Sequence, residues 1–383
     1  MRRYFKFNSL PSSGGTFRQV GRPTETLRRL DEFGHNPGAL VAKYFLPDNV
    51  APKAPLVVVL HGCTQTADQY DHGSGWSTAA RDYGFALLYP EQQRSNNPNL
   101  CFNWFLPQDA RRDRGEALSI RKMIAAMIET HKLDPARVYI TGLSAGGAMA
   151  NVLLATYPEL FAGGAIIAGL PYGTATDVPK ALERMRGQGL PDDRKLGDLV
   201  RGATDYEGPW PTVSIWHGSA DATVYPSNAD ATLAQWRSVH GLAREPNRED
   251  IVDNQLREIW CDGQGHDVIV KMTIAGMGHG TPLAVTGADA CGAAGPYMLD
   301  RQISSTRHIC RHWGLTDGAL EIAQGRPLGS SEKVDRNTPA SRGAVERPMA
   351  PATPDPAKGA SSSAAAGIGR VIDDALRAAG LMR

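Results

Sequence analysis

Val138, Tyr139, Ile140 and Thr141 form a β-branched and aromatic run that stops at Gly142-Leu143-Ser144-Ala145-Gly146. Small residues and a helical pattern follow, so the segment predicts a strand that turns sharply into a helix and lifts the Ser144 hydroxyl above a sheet. Gly142 and Gly146 flank the serine because such a turn leaves no room for a Cβ on either side. Ala145, Gly147 and Ala148 let the helix start close against the strand. At this glycine content about 0.3 matches to the five-residue pattern arise by chance, so the strand-to-helix context carries the argument.

The rest of the chain agrees with an α/β fold. From about Leu40 to Leu315, strand-like and helix-like segments alternate, which predicts a mostly parallel central sheet with helices on both faces. Leu56-Val57-Val58-Val59-Leu60 is a continuous apolar run, as a strand buried on both faces requires. Phe85 to Tyr89, stopped by Pro90, reads as the next strand. Further strands are expected at 138–141, 165–168, 213–216 and 268–274. Between Glu116 and His131, Leu118, Ile120, Met123, Ile124, Met127 and Ile128 recur at helical spacing and predict a helix packed on the sheet.

Four other regions have their own character. Residues 1–37 read as a loose lead-in to a catalytic domain at 38–315. Within that domain 174–208 is polar and helical, an insertion above the strand ends that would serve as a lid or as a plain structural excursion. Residues 316–366 are rich in Pro, Ala, Ser and charge, with too little apolar surface to fold. Ile368, Val371, Ile372, Ala375, Leu376 and Ala379 mark a short amphipathic helix within 367–383, marginal alone and expected to dock on the body or a partner.

Charge excludes several function classes. With 41 Lys and Arg against 40 Asp and Glu, the net charge of +1 leaves no electrostatic footprint for nucleic acid or an anionic membrane. No segment has the length of a membrane span. The basic start, Met1 to Lys6, is not followed by an apolar run of signal-peptide length, which read literally means a cytoplasmic protein. Cys63, Cys101, Cys261, Cys291 and Cys310 show no Cys-x-x-Cys spacing, so a zinc site is not expected, and one of the five stays unpaired in a monomer.

A serine hydroxyl is a poor nucleophile until a histidine takes its proton and an acid orients that histidine. In the α/β-hydrolase arrangement these follow in the order serine, acid, histidine on loops after successive strands. Asp221 lies just after the apolar strand ending at Trp216, and His279 sits in the glycine-rich loop after the next strand. Ser144, Asp221 and His279 are therefore the candidate triad. For the oxyanion, His61-Gly62-Cys63-Thr64-Gln65 follows the first central strand, so the backbone N–H groups of Cys63 and Ala145 are the natural pair of donors. His61 reads as a loop-shaping residue rather than a base.

At these residues the chain resembles the esterase family of poly(3-hydroxybutyrate) depolymerase catalytic domains, neighbours of feruloyl and acetylxylan esterases. The matching pieces are residues 61–65, Ser74-Gly75-Trp76, Tyr89-Pro90-Glu91-Gln92, Cys101-Phe102-Asn103-Trp104-Phe105, 142–149, 168–173, 217–221 and 278–280. The resemblance implies an α/β-hydrolase fold, ester hydrolysis without a cofactor, and a Cys63–Cys101 disulfide pinning the oxyanion loop. Such a bond implies an extracellular setting, so two compartments stay open.

Trp76, Trp104, Phe105 and Tyr172 fall in loops near the expected strand ends, where they would line a groove for an apolar acyl chain or stack on a phenolic group. Each taken singly is equally read as ordinary packing. Gln65 and Asn228 are candidates for polar contacts. Secreted depolymerases of this type usually carry a separate polymer-binding domain, and this chain has only the short tail. Small or oligomeric hydroxyalkanoate esters are thus the expected substrates, with feruloyl or acetylxylan esters as the alternative. A non-catalytic binding protein on the same scaffold typically lacks the nucleophile or the histidine, and both are present here.

Overall fold

The computed structural model describes residues 27–48 and 50–316. The expected linker, apart from its first residue, and the expected C-terminal helix lie outside the described residues. In chain order the elements are β1 (Arg28–Arg29), β2 (Val41–Phe45), β3 (Leu56–Leu60), α1 (Ala67–Ser74), α2 (Trp76–Tyr83), β4 (Ala86–Glu91) and α3 (Gly115–His131). Then come β5 (Val138–Leu143), α4 (Ala145–Thr156), β6 (Gly163–Ile167), α5 (Val178–Met185), α6 (Asp193–Arg201), β7 (Thr212–Gly218) and α7 (Ser227–His240). The last are β8 (Arg248–Val252), β9 (Gln255–Cys261), β10 (Asp267–Ile274), β11 (Thr281–Leu283), β12 (Met298–Asp300) and α8 (Ser305–His312).

Ten strands make one sheet in the order β1-β2-β4-β3-β5-β6-β7-β10-β9-β8. The six central strands, β4 to β10 in that order, run parallel, and the strands outside them on both edges run antiparallel. All five side chains of β3 are fully buried, and they alternate between two apolar layers. Leu56, Val58 and Leu60 face the layer built on α3, α4 and α7, whereas Val57 and Val59 face the layer with α1, α2 and α8. Each such burial contributes about 1.5–3 kcal/mol, enough to offset the roughly 1–2 kcal/mol of backbone entropy lost per residue. An unbroken apolar run is therefore stable only at the centre of a two-sided sheet.

The structure departs from the sequence reading at the edges. Part of the expected lead-in is in the sheet, because Arg28 and Arg29 pair with Tyr44 and Lys43 of β2. Pro90 does not stop β4, which continues to Glu91. The last β3–β4 pair is Val58 with Leu88, so Pro90 lies beyond the point where a ladder donor is needed on that side. Two unforeseen antiparallel strands, β8 and β9, intervene before the strand that leads to His279. Their turn, Asp253-Asn254, has both residues at positive φ, 49° and 61°, as a two-residue hairpin of the I′ type demands. The expected insertion comprises α5 and α6, capped by Asp177 and Asp192, whose side chains accept from Lys180 N and Lys195 N, both at 2.9 Å.

Candidate active site

Ser144 stands between β5 and α4 with φ 58° and ψ −117°, a left-handed conformation rare for a residue with a side chain. Close packing holds it there. A Cβ on Gly142 would collide with the Gly146 carbonyl, and a Cβ on Gly146 would lie 2.5 Å from the carbonyl oxygens of Leu60 and His61. The start of α4 thus presses directly onto the ends of β3 and β5. The Ser144 N–H is anchored to Ile167 O at 2.9 Å, which leaves the hydroxyl facing the cavity above the sheet.

Asp221 and His279 meet because the loops after β7 and β10 are stitched together. Ser219 N donates to Ile274 O and Ala220 N to Met277 O, both at 3.0 Å. A Cβ on Gly218 would strike the Met277 carbonyl, so only glycine permits this approach. Asp221 Oδ2 lies 2.7 Å from His279 Nδ1, and Oδ1 accepts from the N–H groups of Thr223 and Val224, each at 2.9 Å. Burial opposes the charge on Asp221, yet the neighbouring His279 and the hydrogen bonds from His217 and His279 outweigh it and hold the carboxyl well below its ordinary range. An ionised acceptor at Nδ1 fixes the proton there and leaves His279 Nε2 as an acceptor. Ser144 and His279 line the same cavity. Among the described residues no hydrogen bond joins their side chains, a looseness common in substrate-free sites.

His217 escaped the sequence reading. Its buried ring places Nε2 2.8 Å from Val224 O and 3.4 Å from Asp221 Oδ2, so one N–H braces both the carboxylate and the turn that carries it. Its position four residues before Asp221, within the matching piece 217–221, was the available signal.

Cys63 and Ala145 border the cavity beside Ser144, and among the described residues neither backbone N–H is taken by a protein acceptor. Cys63 is bonded to Cys101, with the two Cα atoms 4.2 Å apart. Around it the loop is tightly laced. Gln65 Oε1 accepts from Gly62 N at 2.8 Å, and His61 Nε2 accepts from Gln92 N at 3.1 Å while its Nδ1 lies 2.8 Å from Gly62 O. His61 thus shapes the loop, and Gln65, which also borders the cavity, spends its carbonyl on the same task.

The cavity wall is mostly apolar, formed by Trp104, Phe105, Leu143 and Leu170 together with Val178, Ala181, Leu182 and Met185 of α5. Trp104 and Phe105 pack edge to face with ring centroids 5.5 Å apart. Three expected substrate contacts do not reach the cavity. Trp76 is 1% exposed and packs between Phe85 and Trp313, because Gly75 turns the chain and sends residue 76 into the helix α2 rather than a loop. Tyr172 is clamped by its backbone to the Gln235 side chain, at 2.9 and 3.0 Å, and packs on the core. Asn228 is fully buried, its Nδ2 donating to the carbonyls of Arg184, Met185 and Tyr225, and so ties down the end of α5.

Asp253, Asp289 and His308 have metal-like spacing, but their atoms already have partners. Arg311 engages both oxygens of Asp289, and His308 Nε2 lies 2.8 Å from Asp253. Among the described residues no helix is long and apolar enough to cross a membrane.

The sheet order, the strand-serine-helix turn after β5 and the Asp221–His279 pair at the ends of β7 and β10 define an α/β-hydrolase. The family model described as Esterase PHB depolymerase matches residues 40–248. The chain belongs to that family and is a carboxylic ester hydrolase. It is 45% identical over 291 residues to poly(3-hydroxyalkanoate) depolymerase C of Paucimonas lemoignei, covering 76% of this chain and 70% of that protein. Feruloyl esterase B of Talaromyces stipitatus is 31% identical, over 68% of this chain and 74% of its own. The solved acetyl xylan esterase from Aspergillus awamori superposes with a TM-score of 0.65 at 25% identity, covering 76% of this chain and 99% of that one.

Proposed function

We propose that the chain hydrolyses short-chain hydroxyalkanoate esters through a Ser144–His279–Asp221 triad. The observation that carries the reading is the 2.7 Å contact between His279 and Asp221, with His279 and Ser144 facing one cavity. His279 Nε2 takes the Ser144 proton as Oγ attacks the ester carbonyl. The resulting oxyanion receives the N–H groups of Cys63 and Ala145. His279 then hands the proton to the leaving alkoxide, which departs as the alcohol and leaves an acyl-serine. Water, deprotonated by the same nitrogen, attacks the acyl-serine, releases the acid and restores Ser144.

The substrate class is supported by the apolar wall of the cavity and by the greater identity to the polyhydroxyalkanoate depolymerase than to the feruloyl esterase. Soluble or oligomeric esters suit an apolar cavity bordered by α5, and the Cys63–Cys101 bond suits an oxidising compartment. A second reading, acetylxylan or feruloyl ester cleavage, draws on the likeness to the acetyl xylan esterase. Rates on 3-hydroxybutyrate oligomers, acetylated xylo-oligosaccharides and methyl ferulate decide between them. The proposal expects the hydroxybutyrate oligomers to have the highest kcat/KM, and a preference for either of the others overturns it.

A further inference from the structure

Glu116, the second residue of α3, is fully buried, and the mechanism above makes no use of it. Its side chain gathers the segment that carries Cys101. Oε1 accepts from Gln92 Nε2 at 2.6 Å, Asn103 Nδ2 at 2.8 Å and Asn96 Nδ2 at 3.3 Å, and Oε2 accepts from Asn103 N at 2.8 Å. One carboxyl group thus holds both ends and the middle of the stretch from Gln92 to Asn103. Gln92 Nε2 reaches Cys101 O at 3.0 Å as well.

That stretch is what grips the Cys63 loop. Three links join them: Gln92 N to His61, Thr64 N to Asn99 O at 2.7 Å, and the Cys63–Cys101 bond. The Cys63 amide is therefore only as well placed as the frame around Glu116. An oxyanion donor depends on placement to a few tenths of an ångström, and losing one costs about 10²–10³-fold in kcat.

We infer that Glu116 is a positioning residue for the Cys63 amide, acting through Gln92, Asn103 and the disulfide. The inference rests on the reading of Cys63 N–H as an oxyanion donor. Glutamine at this site keeps the Oε1 acceptor, but the NH2 nitrogen that replaces Oε2 cannot accept from the Asn103 N–H, whereas a carboxyl oxygen retains acceptor capacity there with or without its proton. The frame loosens, while most of the apolar wall, Leu143, Leu170 and the α5 side chains, lies outside it.

The test measures kcat and KM for p-nitrophenyl butyrate, and the inhibition constant of n-butylboronic acid, in the wild type, Glu116→Gln, Asn96→Ala and Ser144→Ala full chains. The boronic acid gains a bond from Ser144 Oγ to boron, the serine proton passes to His279, and the tetrahedral anion places an oxygen at the oxyanion donors. Glu116→Gln is expected to lower kcat about 5–50-fold with KM within about twofold, and to weaken the boronate by a similar factor. Asn96→Ala, a half-buried change at the edge of the frame, moves both readouts the same way by less, and it decides the matter if the Gln variant does not fold. Wild-type kcat and boronate affinity in the folded variants overturn the inference, as does a loss carried by KM. Ser144→Ala separates the two failures. If that variant is inactive while the others match the wild type, only the role of Glu116 falls; if it keeps its turnover, the reading of the site falls first.

Discussion

The Cys63–Cys101 bond ties the oxyanion loop to a segment 38 residues downstream, and its removal by Cys63→Ala with Cys101→Ala has a calculable effect. In the chain-entropy model, closing a loop of that length is worth about 4 kcal/mol at 25 °C. Residual structure in the unfolded chain lowers this figure, because the loop is then partly constrained without the bond. The expected destabilisation is therefore about 2–4 kcal/mol, or about 4–8 °C in Tm for a domain of this size. Turnover of p-nitrophenyl butyrate should fall by about 10-fold with a smaller change in KM, since the bond positions the Cys63 donor while most of the apolar wall lies elsewhere. Thiol titration comes first. Unfolded and unreduced, the protein should release three titratable thiols, Cys261, Cys291 and Cys310, and five after reduction. Five thiols without reductant, or a double variant as stable and as active as the parent, refutes the reasoning.

Three further outcomes follow from the packing and charge. Asp221→Asn removes the ionised acceptor at His279 Nδ1, favours the wrong tautomer, and should cost about 10³–10⁴ in kcat at pH 7 with little change in KM. Trp76→Ala should cost about 3–5 kcal/mol in a urea titration and leave kcat/KM of the folded protein at 25 °C intact; a large shift in acyl preference would restore the groove role that the structure denies it. Burial, with the charge of Asp109 adding to it, pushes Glu116 up to about 8 against the pull of its N–H donors. A carboxyl held that high binds its proton more tightly when folded, so its contribution to stability is complete below about 4.5 and is lost as pH rises through about 8. The Tm of the wild type minus that of Glu116→Gln should accordingly fall between pH 5 and pH 9, and a difference that stays flat or rises contradicts the assignment.

Much of this site was legible because its chemistry forces local sequence. A serine turn needs Gly142 and Gly146 for backbone clearance, and a strand buried on both faces needs the run from Leu56 to Leu60. The order of Ser144, Asp221 and His279 follows the order of the parallel strands that carry them, even though β8 and β9 lengthen the path. Side chains whose role depends on where a neighbouring segment lands were illegible. Trp76 looks the same in sequence whether the turn at Gly75 sends it to a groove or a core. Glu116 reads as an ordinary acidic residue in the first turn of a helix, and nothing local announces that Gln92, Asn96 and Asn103 converge on it. The β8–β9 hairpin did carry a signal, Asp253-Asn254 at its turn, but β8 is exposed and charged, and in neither strand does the sequence show the apolar alternation that marks a half-buried strand.

The central claim is that Ser144 is made nucleophilic by His279 and Asp221. A fluorophosphonate incubated with the native protein, followed by intact mass and peptide mapping, tests it most directly. One adduct per chain, on Ser144, lost in His279→Ala and slowed in Asp221→Asn, is the predicted result. Adducts on another residue, or labelling of Ser144 at an unchanged rate without His279, would contradict it.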